Sequence, residues 1–212
     1  MMFKDRIEAA MLLADELESY RGKNAIILAI PRGGVPMGYI IAKRLHLPLE
    51  VVLSKKIGHP LHKEFAIGAV TLKSQVLSNA AADVSPRYLD EETKKIRALL
   101  TKRYRDYYGD KPPLQLKDKI LIIVDDGIAT GNTIISTIEM LHAEHPEKIV
   151  VAIPVSSQDA LQKLKNSPFI DDVVCLSTPI NFRAVGQFYR NFDQVDDAEV
   201  KTLLKEVSAN TN

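Results

Sequence analysis

Apolar residues recur along this chain in two rhythms, one near 3.6 residues and one of short unbroken runs. Phe3, Ile7, Met11, Ala14 and Leu17 lie three or four apart, which predicts an amphipathic helix over Phe3 to Tyr20 with Gly22 as its stop. Residues 25–30, AIILAI, form an apolar run of strand length that ends abruptly in PRGGVP, and a helical pattern resumes from Met37 to Leu45. Residues 51–57, VVLSKKI, read as a second buried strand. Strand, glycine turn, helix and strand in this order predict a parallel βαβ unit.

The alternation then breaks. FAIGAVTL (65–72) and QVLSN (75–79), separated by Lys73-Ser74, read as a hairpin. Ser85-Pro86 opens a long helix, with serine as cap and proline in the first turn, and the helix runs to Tyr108 before Gly109. Asp90, Glu91 and Glu92 come early in it and most bases, from Lys94 to Arg105, come late, an order that suits the helix dipole better than a nucleic-acid face. Tyr104, Tyr107 and Tyr108 read as packing residues. After Pro112-Pro113 the alternation returns: KILIIV is a strand, Asn132 to His142 a helix, KIVVAIPV a strand, Gln158 to Leu164 a helix, and DVVCL a strand. An aromatic and polar C-terminal part ends in a short helix. The expected fold is a doubly wound, mostly parallel α/β sheet in one domain over 1–212. It carries an inserted hairpin and long helix at about 59–112 and a small C-terminal hood at about 177–212.

Composition narrows the function. The 212 residues, 46% hydrophobic and 26% charged, suffice for one good core. With 28 basic and 27 acidic residues the net charge is +1, which argues against general nucleic-acid binding. The one cysteine, Cys175, excludes an internal disulfide and reads as a small buried core residue. No apolar run reaches the roughly 18 residues of a membrane span, and acids interrupt the N-terminus where a signal peptide would be apolar. A cytoplasmic protein with no membrane partner is expected.

The chemistry concentrates in residues 119–133, KILIIVDDGIATGNT. An apolar strand ends in Asp125 and Asp126, and ligands of open α/β sheets bind at that edge. Gly127 and Gly131 allow tight turns and close approach. The N–H groups of Gly127, Ala129, Thr130, Gly131, Asn132 and Thr133, with the next helix N-terminus, form a cradle for one phosphate, and the threonine hydroxyls add donors. The two aspartates suit neutral donors instead, such as adjacent ribose hydroxyls. Neither the triphosphate-binding loop nor the dinucleotide fingerprint fits, because no Gly-Lys-Ser/Thr follows and the glycine spacing differs.

LIIV, Asp125-Asp126, Gly127-Ile128-Ala129 and Thr130-Gly131-Asn132-Thr133 resemble the phosphoribosyl-diphosphate motif of the type I phosphoribosyltransferases. The resemblance extends over nearly the whole chain, and is strongest to an orphan bacterial branch of the family, through PRGGVP, the Lys-Lys-Ile-Gly turn, AIGAV and AVGQFYRNF. It implies displacement at the ribose anomeric carbon, with magnesium-bound pyrophosphate leaving and a nitrogen nucleophile attacking. Asp125 and Asp126 would fix the ribose and reach magnesium indirectly, through ribose or water. Arg32, Gly33 and Gly34 would hold pyrophosphate with Lys55 and Lys56, and a non-proline cis peptide is expected at Arg32–Gly33 or nearby. Lys56 is favoured over Lys55. The mobile catalytic loop would carry His59 and His62 with Lys63 and Glu64, which makes Arg32, Lys56 and His59 the candidate catalytic residues.

The acceptor would enter under the hood, where Phe182, Phe188, Tyr189 and Phe192 are candidates to stack on a flat ring, although their spacing requires half of them to be core. Ala129 stands where 6-oxopurine enzymes of the family carry an aspartate, so hypoxanthine or guanine salvage is not expected. Homodimers are common in the family, and the long helix is a candidate interface. A regulator that binds the sugar diphosphate or a nucleotide without turnover is the competing expectation. A phosphohydrolase would need Asp-x-Asp spacing or metal ligands that the chain does not show.

Overall fold

The computed structural model of the chain describes residues 1–209. Five parallel strands form the main sheet: β1 (Ala25–Ala29), β2 (Leu49–Val51), β6 (Ile120–Val124), β7 (Lys148–Val155) and β8 (Asp172–Ser177), in the order β2-β1-β6-β7-β8. The three central strands are apolar at nearly every position because both faces are covered. Alternate residues enter different cores. Ile27, Ile122 and Val150 meet α1 (Arg6–Glu16) and α2 (Gly34–Leu45), whereas Ile26, Leu121, Ile123 and Val151 meet α4 (Asn132–His142) and α5 (Gln158–Lys165).

Two predicted elements come out differently. VVLSKKI is not one strand. Its first part extends β2, pairing Val51 with Ala29, while β3 (Lys55–Gly58) leaves the sheet and pairs antiparallel with β4 (Ala66–Val70). Ser54, Lys55 and Lys56 explain the break, since two exposed lysines cannot continue a strand covered on both faces. With β5 (Gln75–Leu77), the predicted hairpin thus becomes a three-stranded sheet of order β3-β4-β5.

The predicted face of α1 holds in part. Phe3, Ala14 and Leu17 are buried as expected, but Ile7 and Met11 are 57% and 47% exposed, and Ala10 and Leu13 are buried in their place. The helix itself begins after Phe3: Asp5 caps α1 by accepting from the Glu8 N–H. Cys175 is half-buried on the edge strand β8, and its thiol pKa is raised by burial.

The long helix α3 (Pro86–Tyr108) has the predicted bounds, and the Ser85 hydroxyl accepts from the Tyr88 N–H. It turns Ile96, Leu100, Tyr104 and Tyr107 inward, while Arg87–Glu91 and Lys94–Asp90 pair along its outer face. Its end is fixed to β2. Tyr108 Oη accepts from the Val51 N–H at 3.0 Å, and Glu50 Oε2 accepts from Tyr104 Oη at 3.2 Å and the Leu114 N–H at 3.0 Å. The last helix, α6 (Asp197–Ala209), packs along α2 and α3, and Tyr107 Oη donates to Asp197 at 2.6 Å.

Glu50 is 6% exposed, and burial raises its carboxyl pKa above the ordinary 4.5 against the opposing hydrogen bonds. The unfolded chain therefore ionises first as pH rises, and stability falls from pH 4.5 upward through the folded value. Urea unfolding of wild type and Glu50→Gln from pH 5 to 8 is expected to show the wild-type curve falling relative to the variant, by at most about 1.4 kcal/mol per pH unit. Parallel curves would exclude Glu50 as the titrating group.

Candidate functional site

The carboxyl ends of β1 and β6 lie side by side, and the loops that leave these two strands build the site. After β6, Gly127 takes φ +155°, and a Cβ there would stand 2.6 Å from Val185. The Ile128 N–H donates to Val155 O at 3.0 Å and Ser157 Oγ to Ala129 O at 2.6 Å, so the loop is fastened to the end of β7. Gly131, at φ +76°, begins α4, and Thr130, Asn132 and Thr133 remain exposed around that helix N-terminus. This geometry suits an anion.

After β1, the Ile30 N–H donates to Val124 O at 2.9 Å, which lays PRGG across the end of β6. A cis peptide joins Pro31 to Arg32, one bond before the expected position. Contact with the acids is close. A Cβ on Gly33 would stand 1.9 Å from Asp126 Oδ2, and one on Gly34 would stand 2.5 Å from Val124 O. Glycine is required at both positions by backbone and carboxylate approach, not by an unusual φ.

Asp126 is held from a place that the motifs do not indicate. Arg6 Nε and Nη2 donate to Asp126 Oδ2 at 3.0 and 2.8 Å, and Nη1 donates to Asp193 O at 2.8 Å. The guanidinium lies 3.9 Å from the centre of the Phe192 ring. Arg6 arrives there because the chain start is laced to the hood: Phe3 N–H donates to Phe188 O, Arg190 N–H to Phe3 O and Asn191 N–H to Lys4 O. Tyr189 Oη donates to Asp126 O at 2.7 Å.

The two acids differ in environment. Burial raises the Asp125 carboxyl well above its ordinary value, and the neighbouring Asp126 charge adds to this against the Asp126 N–H that it accepts at 2.9 Å. Burial also raises Asp126, but Arg6 opposes it through hydrogen bonds and charge. Among the described residues no group of three or more His, Cys, Asp or Glu is placed to hold a metal. Asp126 Oδ2 is committed to Arg6, so these carboxylates fit a cation reached through ribose or water better than one bound directly.

The remaining candidates are dispersed. Lys55 and Lys56 are exposed on β3, in the second sheet. His59 stabilises its own turn: Nδ1 accepts from the Leu61 N–H at 3.2 Å, and its ring lies 6.1 Å from that of His62. Lys63 Nζ donates to Tyr88 Oη, which donates to Gly58 O, both at 2.7 Å, tying the turn to α3. Among the aromatic candidates, Phe188 and Tyr189 are buried, only 6% and 5% exposed. Phe182 covers the first, while Phe3 and Phe192 flank the second, so neither offers a free ring face and the stacking expectation for them is corrected. Phe182 and Phe192 keep exposed surface. Lys163 joins the loop without any local sequence signal to announce it. Its Nζ lies 3.3 Å from Thr130 O and 3.5 Å from Asn132 Oδ1.

Residues 4–193 match the model of the phosphoribosyl transferase domain, and the chain belongs to that family. It is 36% identical over 209 residues to a "Putative phosphoribosyl transferase" of Mycobacterium tuberculosis, from strains H37Rv and CDC 1551 alike. That match covers 96% of this chain and 46% of the relative, so the chain spans about half the length of the curated relatives it matches. The crystal structure of TT1426 from Thermus thermophilus is similar at TM-score 0.85 and 38% identity, over 97% of this chain and 99% of that one. A hypothetical protein from Neisseria gonorrhoeae with bound ppGpp shares the fold alone, at TM-score 0.51 and 14% identity over 97% of this chain and 98% of that one.

Gly33→Ala must displace the Asp126 carboxylate from Arg6. Urea unfolding is expected to show a loss of about 1–3 kcal/mol, the usual range for overpacking. Unchanged stability would show that the turn and the carboxylate are not in contact.

Proposed function

We propose that this chain transfers phosphoribose from 5-phosphoribosyl 1-diphosphate, with Mg2+, to a nitrogenous base or related acceptor, and that pyrophosphate leaves. The observation that carries the proposal is the contact of Gly33 with Asp126, which brings the PRGG turn and the two acids to one point at the sheet edge. One ligand with a diphosphate at one end and hydroxyls beside it suits that junction.

In this reading the 5′-phosphate lies on the backbone of residues 129–133 at the start of α4. Asp125 and Asp126 fix the ribose hydroxyls, and Arg32 with the N–H group of Gly33 takes the diphosphate; the Gly34 N–H, which already donates to Ile30 O at 3.0 Å, serves the turn instead. Charge develops on the leaving group as the anomeric carbon becomes cation-like, and donors already in place stabilise it without reorganising. Magnesium carried on the diphosphate would neutralise further charge. Lys56 and His59 would act from β3 and the turn after it. The acceptor would lie against Phe182, since the Phe192 ring is taken up by Arg6 and Tyr189. Ala129 supplies no acid to a purine, so a 6-oxopurine is not the expected acceptor.

The test is calorimetric binding of 5-phosphoribosyl 1-diphosphate with Mg2+, followed by pyrophosphate release across purine, pyrimidine and pyridine bases. Wild type is expected to bind and to release pyrophosphate with at least one base. Asp125→Asn with Asp126→Asn is expected to bind about 10- to 100-fold more weakly. Tight binding with no release on any base would favour a regulator that senses the sugar diphosphate. Equal binding by the double variant would overturn the site.

A further inference from the structure

Arg6 lies outside every motif that the sequence offers, yet it is 12% exposed and all three of its nitrogens are engaged. Two of them converge on Asp126 Oδ2. That same oxygen is covered on another side by Gly33, where even a methyl group would stand at 1.9 Å. Oδ2 is therefore enclosed between the guanidinium and the PRGG turn. Oδ1 stands farther from the turn, 3.2 Å from a Cβ at Gly33, and takes neither Arg6 bond.

We propose that Arg6 is a positioning residue of this site: it fixes the rotation of the Asp126 carboxylate so that Oδ2 braces the PRGG turn and Oδ1 is presented to a sugar hydroxyl. The inference rests on the sugar-diphosphate reading above and adds to it a residue from the far end of the chain. Arg6 acts through Asp126: each of its three nitrogens already donates, two of them to Asp126 Oδ2 and one to Asp193 O. Its planar fork matters here. Two donors reach one carboxylate oxygen while a third reaches the hood, and Phe192 lies against the plane. A carboxylate without this partner could rotate, and both oxygens would then compete for the sugar and the turn. Because Arg6 also holds Asp193 O, and Tyr189 holds Asp126 O, the hood that borders the acceptor space is fastened to the residue that would orient the sugar.

The experiment is calorimetric titration of wild type, Arg6→Ala, Arg6→Lys, Asp126→Asn and the Arg6→Ala/Asp126→Asn pair, with folding checked by urea unfolding. Two probes are used, 5-phosphoribosyl 1-diphosphate with Mg2+ and pyrophosphate with Mg2+. Arg6→Ala is expected to weaken the sugar diphosphate about tenfold or more while pyrophosphate changes by less than about twofold. Arg6→Lys should fall between wild type and alanine, since an ammonium keeps the charge and loses the fork. In the Asp126→Asn background, Arg6→Ala should cost little more, because the residue acts through that carboxylate. Unchanged sugar-diphosphate binding in a folded Arg6→Ala protein would overturn the proposal. So would equal weakening of both probes, or an undiminished loss in the Asp126→Asn background. Should the alanine variant fail to fold, Arg6→Lys decides: weaker sugar-diphosphate binding with unchanged pyrophosphate supports the proposal, and wild-type binding of both overturns it. A wild-type protein that binds pyrophosphate and not the sugar diphosphate would sink the underlying reading of the site, a result separate from any variant's behaviour.

Discussion

A carboxylate half-buried at the end of an apolar strand must find a partner or give up its charge, and Asp126 finds one 120 residues away. Much of the site's shape depends on that pair. To bring Arg6 to Asp126, the chain start must lie beside the hood, and backbone hydrogen bonds from Phe3 and Lys4 to residues 188–191 place it there. To let the PRGG turn approach the same oxygen, position 33 must lack a side chain. Removing either partner of such a pair is costly because the other charge is left buried and unpaired.

Local chemistry made part of this legible in the sequence. The run from Ile120 to His142 could be read as strand, acids, small-residue loop and helix because each step depends on near neighbours: apolar continuity, two glycines and a helix start. The bounds of α3 were equally plain, since Ser85, Pro86 and Gly109 are punctuation that acts within a turn of the helix. What failed depended on packing across the chain. Ile7 and Met11 match a helical rhythm that starts at Phe3, but Phe3 belongs to the hood contact and not to the helix; the stripe holds at Ala14 and Leu17 and misses in the first turns, where Ala10 and Leu13 are buried in place of Ile7 and Met11. VVLSKKI reads as one strand because periodicity does not show where a strand changes sheet; its two lysines are the signal of the break.

The site was half legible for the same reason. Its acids, its loop and its PRGG turn announce themselves by residue type at the ends of apolar runs. Arg6 does not, because an arginine in the first turn of a helix is ordinary until the fold brings an acid to it. Phe188 and Tyr189 show the converse. Aromatic residues near a presumed acceptor space read as stacking platforms, but the hood has to bury something to stay on the sheet, and these two provide that core.

The family membership is shown by the match over residues 4–193, and the composite ligand site is our proposal. Its central claim is that the loop at 129–133 and the turn at 31–34 serve two ends of one ligand. Competition calorimetry tests this most directly, with ribose 5-phosphate and magnesium pyrophosphate each titrated into wild-type protein, alone and with saturating 5-phosphoribosyl 1-diphosphate. The account predicts that both fragments bind alone and that both signals disappear when the sugar diphosphate is present. A fragment that binds equally well in its presence would show that the two halves do not form one site.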